Sequence, residues 1–159
     1  PLGYMVEMTY NMIKTNAQFD FITSELTEII DQTTAFIIVD DLDHLVKGGR
    51  LSNGAAMIGN LLNIKPILRF DEEGKIVVYE KIRTSKKAFK RLYKILAENT
   101  KDRDYKVYVI HSNIPEKAHE VAEELTSKGF DVSIASFGAV IGTHLGEGAL
   151  GFGMSPKLK

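Results

Sequence analysis

The stretch "YKVYVIHSNIPEKAHEVAEELTSKGFDVSIASF" (Tyr105–Phe137) decides the fold. Tyr105 to His111 is rich in β-branched and aromatic residues and reads as a strand. Pro115 stands near a helix's first position, where a missing N–H costs nothing, and Gly129 follows that helix's end at Lys128. Phe130 to Phe137 then reads as a second strand. Strand, helix and strand within about 33 residues predict a right-handed crossover between parallel strands. The core of the fold is therefore a sheet covered by helices.

Working outward, "AFIIVDD" (Ala35–Asp41) is a short β-branched run and reads as a buried strand. A short helix over 42–47 should stop at Gly48-Gly49, and another should begin at Ser52 and end near Leu62. Lys65-Pro66 opens the next strand, a position where proline is tolerated. "ILRF" and "KIVVYEKI" flank Asp71-Glu72-Glu73-Gly74, a hairpin loop. Residues 85–99 form a helix with Ala88, Leu92, Ile95 and Leu96 on one face.

Nearer the start, Met5, Met8 and Met12 recur at helical spacing, which predicts an amphipathic helix over 4–14. Thr15 and Gln18 have capping-box spacing ahead of a second helix from Phe19 to about Ile30. The tail, Gly138 to Met154, holds Gly138, Gly142, Gly146, Gly148, Gly151 and Gly153, yet its other residues are mostly apolar. That combination predicts tight, buried backbone, read as a strand, a turn and a second strand. The expected class is α/β (α+β), a mixed β-sheet packed with helices in a single domain over 1–159.

Composition narrows the function. Hydrophobic residues at 44% and charged residues at 26% suit a soluble globular domain with a full core. A formal net charge of -1 gives no overall footprint for a polyanion, and no nucleic-acid partner is expected. The absence of cysteine excludes disulfides and thiol chemistry and suits a reducing cytoplasm. The histidines at 44, 111, 119 and 144 form no ligand pair at metal spacing, so neither a metal nor a cofactor is expected. No apolar run approaches the roughly 20 residues of a membrane span, so no stable membrane insertion is expected. No signal peptide opens the chain. Pro1-Leu2-Gly3 lacks an initiator methionine, and a tag remnant, a cleaved fragment or an excised domain would each explain it.

Four features could carry chemistry. Gly48-Gly49-Arg50 joins the most permissive backbone to a planar, always-charged fork that suits carboxylate or phosphate. A helix-helix turn with a surface arginine fits the same residues. His144 lies in the glycine-rich tail, where a neutral imidazole could position a carboxylate or simply be a satisfied structural residue. Lys81, Arg83, Lys86, Lys87, Lys90, Arg91 and Lys94 meet no acid between 81 and 97 and form a solvated face or a docking surface. Asp40-Asp41 point to opposite sides of a strand, which excludes a dyad and leaves a partner for Arg50 or a helix N-cap. The Met5, Met8, Met12 stripe is plain core or a soft wall for a flexible apolar ligand.

Four ordered motifs resemble those of the DegV family: "VDDLDHLVKGGRLS", "LLNIKPIL", "EKIRTSKKA" and "IGTHLGEGALGFG", between residues 39 and 153. That family includes the fatty-acid-binding subunits of bacterial fatty acid kinases. The resemblance implies the C-terminal lobe of a two-lobed α/β fold, with an acyl chain between the lobes and the N-terminal lobe absent from this chain. It implies that a separate kinase subunit phosphorylates the bound lipid, and that the binding protein itself catalyses nothing. Arg50 and His144 would then hold the carboxylate of a long-chain fatty acid. Met5, Met8, Met12, Met57 and Leu61 are candidates for the acyl tunnel. Arg83, Lys86, Lys87 and Lys90 would face the kinase. Family members often read H-T-G-P-G where this chain reads His144-Leu145-Gly146-Glu147-Gly148, which replaces a hydroxyl and adds a carboxylate.

The resulting expectation is a cytoplasmic lipid carrier half, prone to self-association without the other lobe. One rival is an enzyme acting on a small carboxylated or phosphorylated substrate with Arg50 and His144. It finds no nucleophile motif, metal set or nucleotide loop in the sequence. An RNA-binding module using the basic run finds no aromatic platform.

Overall fold

The computed structural model describes residues 1–40, 42–51, 64–101 and 103–158. Its elements, in chain order, are α1 (Leu2–Lys14), α2 (Phe19–Gln32), β1 (Thr34–Ile38), α3 (Asp43–Lys47), β2 (Ile67–Phe70) and β3 (Ile76–Glu80). There follow α4 (Ser85–Asn99), β4 (Tyr105–His111), α5 (Pro115–Ser127), β5 (Asp131–Ser136), α6 (Ala139–Leu145) and β6 (Leu150–Pro156). The six strands form one mixed sheet in the order β3-β2-β1-β6-β4-β5. β4 and β5 pair in parallel across α5, as the strand-helix-strand pattern predicts. The other neighbours, β3-β2, β2-β1, β1-β6 and β6-β4, are antiparallel.

The last strand lies in the middle of the sheet, and its alternation organises both faces. Leu150, Phe152 and Met154 enter the larger core with Val107 and Val109 of β4. That face is covered by Leu92, Ile95 and Leu96 of α4 and by Val121 and Leu125 of α5. Each of these side chains is almost fully buried, and such burial stabilises by about 1.5–3 kcal/mol per large aliphatic. The α4 N-terminus is closed by Thr84, whose hydroxyl accepts the Lys87 N–H.

The other face of β6 is Gly151, Gly153 and Ser155, and these small residues let elements sit close to the sheet. A Cβ on Gly151 would stand 2.6 Å from Phe137 Cζ, and one on Gly153 would stand 3.0 Å from the Pro1 ring. Tyr4 of α1 meets Tyr108 with ring centroids 6.3 Å apart, and Thr33, just after α2, bonds Ser155 through its hydroxyl at 3.1 Å. Met8 and Met12 of α1 and Ile22 and Ile29 of α2 are buried, as an amphipathic pair requires. Arg103 ties α2 to the end of the sheet, with Nη1 on Glu28 at 2.5 Å and Nη2 on the Lys157 carbonyl at 2.7 Å. A second, smaller core forms beside them, from Ile37, Val39 and Leu68 of the sheet region, Leu45 of α3, and Leu145 and Ala149.

Two local expectations are corrected. Thr15 and Gln18 do not form a capping box: Thr15 Oγ1 donates back to the Met12 carbonyl at 2.9 Å and closes α1 instead. Gln18 is the N-cap of α2 but makes no side-chain cap bond. The tail is a helix, a turn and a strand rather than two strands. Gly138 leads into α6, and Thr143 Oγ1 satisfies the Ala139 carbonyl at 2.8 Å. Gly146, at φ 78, then ends the helix. Ala139 to Leu145 spans too few residues for its apolar period to distinguish helix from strand. The expected helix over 52–62 lies outside the described residues.

Candidate functional site

β1 and β4 both run antiparallel to β6, and β5 runs parallel to β4, so the carboxyl ends of β1, β4 and β5 share one edge. Leu150 marks that edge, paired with Ile38 on one side and His111 on the other. Loops leaving such ends are where mixed and parallel sheets build ligand sites. Here they carry α3 and α6 across the smaller core.

The Gly48-Gly49-Arg50 sequence ends α3 in a defined way. Gly49 takes φ +65 and donates its N–H to the Val46 carbonyl at 3.0 Å, while the Arg50 N–H reaches the Leu45 carbonyl at 2.9 Å. This nested pair is the Schellman arrangement, and glycine adopts its left-handed residue without strain. Gly48 serves a different purpose. Its Cα faces the His144 imidazole, and a Cβ built there would stand 3.1 Å from Cε1, inside contact with Nδ1, and 3.0 Å from the His44 carbonyl oxygen. Arg50 Nη1 donates to the Gly48 carbonyl at 3.0 Å. Gly48 thus touches both candidate headgroup residues.

The contact is reciprocal. A Cβ on Gly146, just past α6, would stand 2.6 Å from His44 Cδ2. Each short helix therefore sets an imidazole on a glycine of the other. The following turn is also fixed: Gly148, at φ 84, donates to the Ser112 carbonyl at 2.9 Å, and Ser112 donates to the Ala149 carbonyl at 2.9 Å. Asn113 Nδ2 donates to the Glu147 carboxylate at 2.8 Å, so this carboxylate is drawn toward the β4–α5 loop. His144 is half-buried, whereas Arg50 is exposed beside a groove of about 420 Å³ lined by Phe70, Gly74, Lys75 and Ile76.

Met8 and Met12 are buried, and Met5 is half-buried on α1. Met57 and Leu61 lie outside the described residues, as does Ser52. Arg83 precedes α4, and Lys86, Lys87 and Lys90 are exposed on it. The acids that bound the basic run reach into it: Arg91 Nε pairs with Glu80 at 2.7 Å, and Lys94 lies 3.8 Å from Glu98. Asp40 does not meet Arg50; Lys65 Nζ holds it instead, at 2.7 Å to Oδ1 and 2.9 Å to its carbonyl. Leu42 is the N-cap of α3, without a side-chain bond. Sequence spacing gave no sign of the Lys65–Asp40 pair or of His44 opposite Gly146, because both depend on loops meeting across the sheet edge. Among the described residues no group of three or more histidines and carboxylates could hold a metal ion. None of the described helices is long and apolar enough to cross a membrane.

The fold is a mixed six-stranded α/β domain in which Gly48 lies against the His144 imidazole and accepts from the Arg50 guanidinium. The chain belongs to the DegV family: the family model described as "Uncharacterised protein, DegV family" matches residues 1–157. A DegV domain-containing protein of Streptococcus pyogenes serotype M1 is 57% identical over 160 residues, covering 99% of this chain and 57% of that protein. The structure of a fatty acid binding DegV family protein from Streptococcus agalactiae is 51% identical with a TM-score of 0.92, over 99% of this chain and 56% of that one. DegV from Bacillus subtilis, described as a fatty acid binding protein, is 45% identical with a TM-score of 0.84, over 98% and 56%. The chain thus spans a little over half the length of these relatives and matches part of the DegV structures.

Proposed function

We propose that this chain supplies the carboxylate-holding half of a fatty-acid-binding protein, with Arg50 and His144 as the headgroup residues. The observation that carries this reading is their shared contact with Gly48. A guanidinium supplies a charged fork for a carboxylate, and a half-buried imidazole adds a directional donor. Two relatives above 40% identity are described as fatty acid binding, which favours a lipid carboxylate over other anions.

An acyl chain contributes about 0.8 kcal/mol per buried methylene, so its retention needs a long apolar wall. Leu2, Val6, Tyr10 and Ile13 form an exposed stripe on α1, and Val140 and Ile141 are exposed on α6. These surfaces suit an apolar covering, either the acyl chain or protein, and Met5, Met8 and Met12 lie behind the α1 stripe as tunnel candidates. The domain acts by presentation in the cytoplasm: the lipid is held while a separate kinase subunit phosphorylates its carboxylate. Arg83, Lys86, Lys87 and Lys90 form the exposed basic face for that subunit.

Native mass spectrometry with added oleate tests the binding reading. One fatty acid per chain is expected, reduced by Arg50→Ala and by His144→Gln; an adduct indifferent to both substitutions overturns the assigned seat. Charge reversal at Arg83 and Lys86 should weaken association with the kinase subunit while leaving oleate binding intact.

A further inference from the structure

We propose that Lys65 is a positioning residue for His144, acting through Asp40 and the turn that ends α6; the ligand side of this inference rests on the fatty-acid reading above. Lys65 belongs to the "LLNIKPIL" motif, which the headgroup residues leave without a role. Its backbone is anchored where its N–H meets the Ile82 carbonyl at 2.6 Å, and the next residue, Pro66, is buried. The side chain therefore leaves a fixed point. Its ammonium group donates twice to one residue, to Asp40 Oδ1 at 2.7 Å and to the Asp40 carbonyl at 2.9 Å. Two bonds to one residue fix both the end of the β1 segment and the direction of the carboxylate.

That carboxylate lies directly on Gly148. A Cβ at Gly148 would stand 3.1 Å from Asp40 Cγ and closer still to Oδ2. Gly148 takes φ 84 and is bonded to Ser112, so the turn cannot move away freely on that side. Two residues earlier, Gly146 meets the His44 ring, and His144 lies two residues before that. Leu145 between them is 3% exposed and anchors the segment in the smaller core. The contacts run from Lys65 through Asp40 to Gly148, and the backbone of residues 145–147, with the buried Leu145 among them, connects Gly148 to His144.

The charges give Lys65 a second reason to be basic. Asp40 brings a carboxylate to the edge where the ligand carboxylate is proposed to sit, and like charges there oppose binding. Lys65 neutralises Asp40 and holds it against the turn. The pair is partly solvent-exposed, with side chains 28% and 64% accessible, so its contribution to folding is small. Its worth lies in geometry.

The test uses Lys65→Met, Lys65→Arg and Asp40→Asn in the full chain, with two readouts. The first needs no ligand: the imidazole Cε1–H resonance of His144 by NMR, assigned with His144→Gln. The second is affinity for oleate. Lys65→Met and Asp40→Asn should both shift or broaden the His144 resonance, and Lys65→Met, which also leaves the Asp40 charge unneutralised, should weaken oleate binding by about 3- to 10-fold. Lys65→Arg should restore both, with thermal midpoints close to the parent throughout. A purely structural salt bridge would lower the midpoint without moving His144. An unchanged His144 resonance in Lys65→Met and Asp40→Asn overturns the positioning role, whatever the lipid result. A resonance that moves in a chain that never binds oleate supports the positioning role and overturns the fatty-acid reading instead.

Discussion

The His144 imidazole occupies the space that a side chain at Gly48 would need. A methyl group there would meet Nδ1, lie 3.1 Å from Cε1, and crowd the His44 carbonyl at 3.0 Å. Gly48→Ala should therefore displace the ring or the end of α3, at about 1–3 kcal/mol, the usual range for overpacking. Chemical denaturation measures the stability change, and oleate affinity should fall with it. Gly49→Ala serves as the contrast: nothing lies within 4 Å of its Cβ, so only the positive φ is strained and His144 stays in place.

The apolar stripe of α1 predicts self-association. Val6 and Ile13 are 61% and 58% exposed on the side opposite the buried Met8 and Met12. Val6→Lys with Ile13→Lys should reduce concentration-dependent association in sedimentation experiments and leave the thermal midpoint nearly unchanged. A large loss of stability would show that the stripe belongs to the folded core.

Alkaline stability should depend on Tyr108. Burial first, then the charges of Tyr4, Glu7 and Asp131, push its phenol from the ordinary 10.0 up to about 12. The unfolded chain can release this proton in that window while the folded chain retains it, so stability falls as pH rises from about 10 to about 12. Tyr108→Phe should flatten the decline measured by urea denaturation. Tyr93, also raised by burial and by its bond to Glu124, leaves a residual slope.

Acid should act through Asp131 in the opposite sense. Hydrogen bonds from Lys106 at 2.6 Å and Lys157 at 2.7 Å hold its carboxyl below the ordinary carboxylate value. Its stabilisation is complete above that ordinary value and is lost as pH falls through the lowered one. The carboxylate is 42% accessible, so water screening limits the effect to about 1 kcal/mol or less. Asp131→Asn should remove this part of the acid dependence.

Much of the fold was legible because its elements are locally consistent. Tyr105–His111 matches its expected strand at both ends, and Ser85–Asn99 matches its expected helix, because β-branched alternation and a helical apolar face each admit one solution there. The tail was misread because Ala139–Leu145 is short and glycine-bounded, and its helix is held by packing of Leu145 against the smaller core rather than by propensity. At the candidate site, Arg50 and His144 stand out in the sequence as a cation and an imidazole beside glycines. Their link through Gly48 was not, because it joins residues 96 positions apart by the crossing of α3 and α6, which sequence spacing does not encode. Asp40 found Lys65 rather than Arg50 for the same reason.

The central claim, that Arg50 and His144 together hold a lipid carboxylate, is tested most directly by NMR of oleate labelled with carbon-13 at its carboxyl. A discrete protein-bound carboxylate resonance is expected, lost or returned to the free position in Arg50→Ala and in His144→Gln. A bound resonance unchanged by either substitution, or no bound resonance with the parent chain, would contradict it.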